Sequence, residues 1–265
     1  MMNIASTSTR AFAGFASAAS LLLALAFAPT QAEAATGVVC PFQSVPTGHV
    51  ITASVFASQC QGGYGYSYTL PSEGLLVCNN SPVPTPYFIR LVDSNTTVCR
   101  GLKRYRIEQA RDGSLACAFS PIPSPFVITS VDPSTSGCEG SKRYYLHQAR
   151  DNIRACAISP IPVGFAITVI RDSGACGGQM EMYLRTPYDG LNVCANSPIP
   201  AGYVIPATYP SVHCNGMSAH EIRTPYNGLV VCGYSPLPSG WVTGSQVRVS
   251  RCGTATYGWS IYQAF

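Results

Sequence analysis

The stretch CAISPIPVGFAI, Cys156–Ile167, is the fourth of six copies of one pattern. The others read CPFQSVPTGHVI from Cys40, CNNSPVPTPYFI from Cys78, CAFSPIPSPFVI from Cys117, CANSPIPAGYVI from Cys194 and CGYSPLPSGWVT from Cys232. Their starts are separated by 38, 39, 39, 38 and 38 residues, with no insertion. A second cysteine follows each start by 20 or 21 residues, at Cys60, Cys99, Cys138, Cys176, Cys214 and Cys252. Internal repeats of this length belong to propellers, solenoids or arrays of small modules.

Each unit reads as short strands. Arg104–Glu108 and Glu181–Arg185 alternate polar and apolar residues, as a half-buried strand does. An Asp-Gly or Asn-Gly turn follows, at Asp112-Gly113, Asp189-Gly190 and Asn227-Gly228, and such pairs tolerate the positive φ that closes hairpins. A second strand runs through the first cysteine, as in Leu191–Ala195. The Ser-Pro-x-Pro corner cannot donate to a ladder at its prolines, so it redirects the chain into a third strand such as Phe165–Ile170. With 24 glycines, 21 prolines and 11% charged residues, and no sustained helical period, the chain reads as all-β.

The termini suggest a circle. Gln263-Ala264-Phe265 aligns with Gln109-Ala110-Arg111, just before a turn, and Ala35-Thr36 occupies the turn itself. Counting 33 steps from Cys232 to Phe265 and 6 from Ala35 to Cys40 gives 39, one more period. The expectation is a closed ring of six repeats of ~39 residues, a six-bladed β-propeller with small blades, in which Trp259–Tyr262 pairs with Val38–Cys40. Two tandem β-trefoils are the alternative, disfavoured because Asp151-Asn152 at the midpoint is as short as every other turn. The repeat logic resembles propeller lectins in architecture only, and none of their sugar-binding motifs is present.

Residues 1–34 read as a secretory signal peptide. Arg10 precedes the apolar run Ser20–Ala28, and Ala32-Glu33-Ala34 offers a small-x-small cleavage site, which is too short for a membrane span. Residues 35–265 form one six-repeat domain, with starts near 40, 78, 117, 156, 194 and 232, and the expected location is secreted or periplasmic. An even cysteine count and export favour disulfides, while zinc would call for Cys-x-x-Cys spacing that is absent. Two regular pairings fit. Within units, Cys40 joins Cys60, Cys78 joins Cys99, Cys117 joins Cys138, Cys156 joins Cys176, Cys194 joins Cys214 and Cys232 joins Cys252. A shifted scheme pairs Cys60 with Cys78 and leaves Cys40 and Cys252 to lock the ring. The first is simpler, because each unit becomes self-contained.

No catalytic motif, phosphate loop or dinucleotide fingerprint is found, so no cofactor or metal is implied and the chain is not read as an enzyme. His49 replaces the aromatic of the other units, and His147 sits on an outward strand position. The candidate ligand surface is the recurring aromatic nine residues after the first cysteine, Tyr87, Phe126, Phe165, Tyr203 and Trp241, whose rings would either stack on sugars or pack against the prolines. Between Cys78 and Ala155 lie ten basic against six acidic residues. Lys103, Arg104, Lys142 and Arg143, beside Tyr105 and Tyr144, form either a solvated face or a patch for an anionic partner. The leading reading is an exported binding module for a glycan or another anionic surface polymer. A structural or protein-interaction scaffold of the envelope or matrix, with a protein partner, is the alternative, and an enzyme with paired carboxylates in a central channel ranks third. Nucleic acid is not an expected partner.

Overall fold

The computed structural model describes residues 36–264; the expected signal peptide, Ala35 and Phe265 lie outside the described residues. Each repeat supplies three strands. The first strands are β1 (Thr36–Val39), β4 (Leu76–Cys78), β7 (Ser114–Cys117), β10 (Ile153–Cys156), β13 (Leu191–Cys194) and β16 (Leu229–Cys232). After the proline corner come the edge strands β2 (Val50–Phe56), β5 (Tyr87–Asp93), β8 (Phe126–Asp132), β11 (Ala166–Asp172), β14 (Val204–Pro210) and β17 (Trp241–Cys252). The central strands are β3 (Tyr64–Thr69), β6 (Arg104–Gln109), β9 (Arg143–Gln148), β12 (Met180–Arg185), β15 (Ser218–Arg223) and β18 (Ala255–Gln263). Four units form separate three-stranded sheets, such as β4-β6-β5, and the last two share one sheet through a parallel bridge between Thr208 and Cys252. Among the described residues no helix is long and apolar enough to cross a membrane.

The disulfides explain the strand order. They join Cys40 to Cys60, Cys78 to Cys99, Cys117 to Cys138, Cys156 to Cys176, Cys194 to Cys214 and Cys232 to Cys252, with Cα separations of 5.3 to 5.7 Å. Each bond ties the end of a first strand to the loop just ahead of the central strand, so Cys78 comes to lie opposite Arg104 and Cys117 opposite Arg143. The edge strand then pairs with the other side of the central strand. A bulge recurs in it, for instance between Ile89 and Leu91 and between Ile128 and Ser130, which adds twist.

Two expectations are corrected here. The Asp-Gly turns do not close hairpins: β6 pairs with β4 and β5, while β7, beyond the turn, pairs with β9. The turn is a crossover between units, and its acidic or amide side chain caps the end of the next central strand. Asp112 accepts from the Gln148 amide at 2.6 Å, Asp151 from Thr186 at 2.9 Å, Asp189 from Thr224 at 2.8 Å and Asn227 from Gln263 at 2.8 Å. The ring-closing pair is not made either. β1 pairs with β3, and β18 pairs with β16 and β17, so both end units complete their own sheets and no propeller closure forms among the described residues. The third and fourth units meet as the other neighbours do, without the break that tandem trefoils would need.

Every junction repeats one clasp. The residue ten places after the first cysteine enters the core of the next unit: Val50 joins Val77, Tyr87 and Ile107, and Val204 joins Leu229, Val231 and Ile261. The isoleucine one place further lies on the next unit's disulfide, as Ile89 does on Cys117–Cys138 and Ile205 on Cys232–Cys252. Its backbone N–H donates to the serine of the next Ser-Pro-x-Pro corner. Ile51 reaches Ser81 at 2.7 Å, Ile89 reaches Ser120 at 2.7 Å, Ile128 reaches Ser159 at 2.8 Å, Ile167 reaches Ser197 at 2.8 Å and Ile205 reaches Ser235 at 2.7 Å. The exposed ladder edge that each small sheet would otherwise present is thereby covered by its neighbour.

The two outer units lack complementary halves of this clasp. In the first unit Gln43 stands at the serine position and folds back to accept from the Cys40 amide. Tyr68 replaces the isoleucine or leucine found at Ile107, Leu146, Leu184, Ile222 and Ile261, and meets His49 edge-on at 5.3 Å. Its phenol ring lies where a Cβ on Gly37 would collide with it, so the slot for an incoming residue is already filled. In the sixth unit the clasp positions hold Val242 and Thr243, both exposed.

Candidate ligand-binding surface

The five aromatics expected to stack on sugars begin or precede the edge strands, one per unit, and face the core. Tyr87 and Phe126 are buried, while Phe165, Tyr203 and Trp241 are half-buried against their own unit's cluster. The Tyr87 hydroxyl donates to the Pro71 carbonyl at 3.0 Å and accepts from the Gln109 amide group. These rings do not come together in one exposed platform. His49 is buried in the aromatic slot, and the His147 ring sits 2.8 Å from the Thr129 hydroxyl.

The basic cluster is largely neutralised within the fold. Arg104 pairs with Asp93 at 2.5 Å and Arg143 with Asp132 at 2.5 Å, across the central and edge strands of one sheet, and Lys103 reaches Glu139 of the next unit. The Asn95 amide and then the Arg104 guanidinium hold the Asp93 carboxyl below its usual range. The Ser134 amide, aided by Arg143, does the same for Asp132. Each acid lies 11 residues before its base, so a count along the sequence shows a basic excess where the sheet register makes ion pairs. Lys142 is exposed and lines a small cleft of 130 Å³ with Tyr144, Ile158 and Gln179.

Carboxylates elsewhere also serve the scaffold. Besides the turn acids, Glu181 pairs with Arg171 and Glu221 with Arg223, each at 2.5 Å. The Thr186 amide and hydroxyl lower Asp151, and those of Thr224 lower Asp189.

Clefts recur at the junctions, a feature the sequence reading missed. The one between the first two units measures 340 Å³ and is lined by Ser54, Tyr64, Gly65, Tyr66, Arg100 and Leu102, with Pro41 and Cys99. Its counterpart is the Lys142 cleft between the third and fourth units, where Val131, Tyr144 and Gly177 hold the positions of Ser54, Tyr66 and Arg100. Arg100 has a left-handed φ of 51°, a conformation non-glycine residues rarely adopt. From it the guanidinium reaches back over the Tyr64 ring, 3.8 Å from the centroid, while Phe56 meets Tyr64 edge-on at 6.2 Å. Phe56 and Tyr64 are 77% and 40% exposed. Cation and ring together make a polar-rimmed aromatic wall.

A further cleft of 220 Å³ lies between the fifth and sixth units, lined by Tyr209, Glu221, Arg223, Tyr226 and Arg251 among others. Inside the same junction Thr208 lies 2.8 Å from His220 and 2.5 Å from the Tyr234 hydroxyl. Burial pushes the His220 pKa down.

Fold and surface define a disulfide-stapled array of β-repeats, a construction that matures outside the reducing cytosol. Comparison with known families, curated proteins and solved structures finds no match.

Proposed function

We propose that the chain is an exported binding module, secreted or periplasmic, that holds a glycan or another surface polymer in its junction clefts. The units act as an open file rather than a closed ring, a reading supported by the unclasped Gln43 and Thr243 at its two ends. The observation that carries the function is the cleft between the first two units. Tyr64 and Tyr66 offer ring surface suited to the apolar side of a sugar, and Ser54 and the Arg100 guanidinium offer hydrogen bonds at its rim. Repetition of that position along the file suits a polymer with its own repeat, because several weak clefts add through effective concentration.

The test is a glycan array with the wild-type chain and with Tyr66→Ala and Arg100→Ala. Loss of a central aromatic or arginine contact costs about 1–2 kcal/mol, which is roughly five- to thirtyfold in affinity. Absence of binding to every glycan, or equal binding by the three proteins, refutes the reading.

A further inference from the structure

We propose that the open edge of β17 is a docking site for an extended, acidic peptide strand of another protein. In the units before it the corresponding edge is covered by the next unit. The isoleucine amide eleven residues after the first cysteine donates to a corner serine, and the amide three places further donates to the next cysteine loop, as Ser54 does to Val98, Val92 to Gly137 and Ile170 to His213. The matching donors of the sixth unit are the amides of Thr243 and Gln246. Apart from the bridge at Cys252, β17 pairs only with β18, on its other side. Residues 242–246 are all exposed.

The edge is lengthened where an unused edge would be blunted. β17 has 12 residues, whereas each of the five other edge strands has 7. Native proteins keep free edges short because unpaired N–H and C=O groups recruit other strands, and strand addition at such an edge is an established mode of peptide recognition.

Charge selects the occupant. After Glu221 the sequence contains no acidic residue, yet it carries Arg223, Arg248 and Arg251. Arg223 is paired with Glu221, while Arg248 and Arg251 lie on β17 itself, exposed, and Arg251 donates only to the Val230 carbonyl among the described residues. Of the thirteen basic residues in the first five units, nine face a carboxylate. An incoming strand with glutamates or aspartates would supply the missing partners. A second copy fits worse. Two β17 strands paired about a twofold axis bring four guanidiniums together, and head-to-tail addition meets the slot filled by Tyr68 and a corner without its serine.

The test titrates the full chain, labelled for amide NMR, with a ten-residue peptide of alternating threonine and glutamate, and with its threonine-lysine counterpart. The expected result is shifts and exchange protection at the Thr243 and Gln246 amides with the acidic peptide only. Arg248→Glu, at an exposed position of β17 and with the amide spectrum of the other units unchanged, weakens binding by about fivefold or more. No response to the acidic peptide, equal response to the lysine peptide, or concentration-dependent shifts at β17 without peptide, which would mark a second copy as the occupant, overturns the proposal.

Discussion

Ser159→Ala removes one clasp and leaves the rest of the molecule intact. Ser159 is 7% exposed; its hydroxyl accepts from the Ile128 amide at 2.8 Å and donates to the Pro160 carbonyl at 3.1 Å. Ile128 is 2% exposed, so water cannot replace the lost acceptor. An amide orphaned in this way costs about 1–3 kcal/mol. The bond to Pro160 is local and adds little, because that carbonyl borders solvent. A loss near 2 kcal/mol corresponds to a fall in Tm of roughly 4–8 °C for a domain of this size. In a file of units coupled only to neighbours the loss falls on one interface, so hydrogen exchange at Ile128 quickens more than at Ile51 or Ile205. Ser44→Ala, at an exposed position of the first unit, is the control. Calorimetry with native-state exchange reads both quantities. Equal, small effects of the two substitutions, below about 0.5 kcal/mol, would refute the clasp as the coupling between units.

Two further outcomes follow from the same contacts. Backbone amides and neighbouring hydroxyl or guanidinium groups hold the carboxyls of Asp93, Asp132, Asp151 and Asp189 below the ordinary aspartate value of about 3.9. Their contribution is present above that value and is lost as pH falls through the lower folded value, so the array weakens in acid below about pH 4. Asp151→Asn keeps the acceptor for Thr186, as Asn227 does for Gln263, and should flatten the acid limb of a stability-against-pH curve; an unchanged limb would show that the turn acids are not its source. Gly37→Ala drives a methyl group into the Tyr68 ring and should cost about 1–3 kcal/mol by overpacking. Thermal melting with Gly174→Ala as the control, where a Cβ meets open space, reads that difference, and equal melting would mean that Tyr68 does not fill the slot.

Much of the unit was legible. The alternation in Arg104–Glu108 placed β6, the proline corners separated first from edge strands, and the cysteine spacing marked equivalent positions. Gln43 breaks the serine column and Thr243 breaks the isoleucine column, and these are the two halves of one missing junction. Counting the period around the termini gives a full turn for an open file cut between units as well as for a ring, so the count by itself does not select between them. The ion pairs of the basic cluster were not legible for a related reason, since Asp93 and Asp132 become neighbours of Arg104 and Arg143 only through strand register. The junction clefts had no signal of their own, because Ser54, Tyr66 and Arg100 come from two units and three elements.

By itself the sequence determined the repeat, its strands, the faces those strands bury and the need for six staples, because these follow from periodicities within about 39 residues. Only the tertiary structure decided which strand each one joins. An Asp-Gly turn is compatible with a hairpin or a crossover, and alternation names a face without naming a partner. The choice fell to the disulfide that sets the central strand beside the first strand, and to the serine of the next unit, which takes up the edge amide left over.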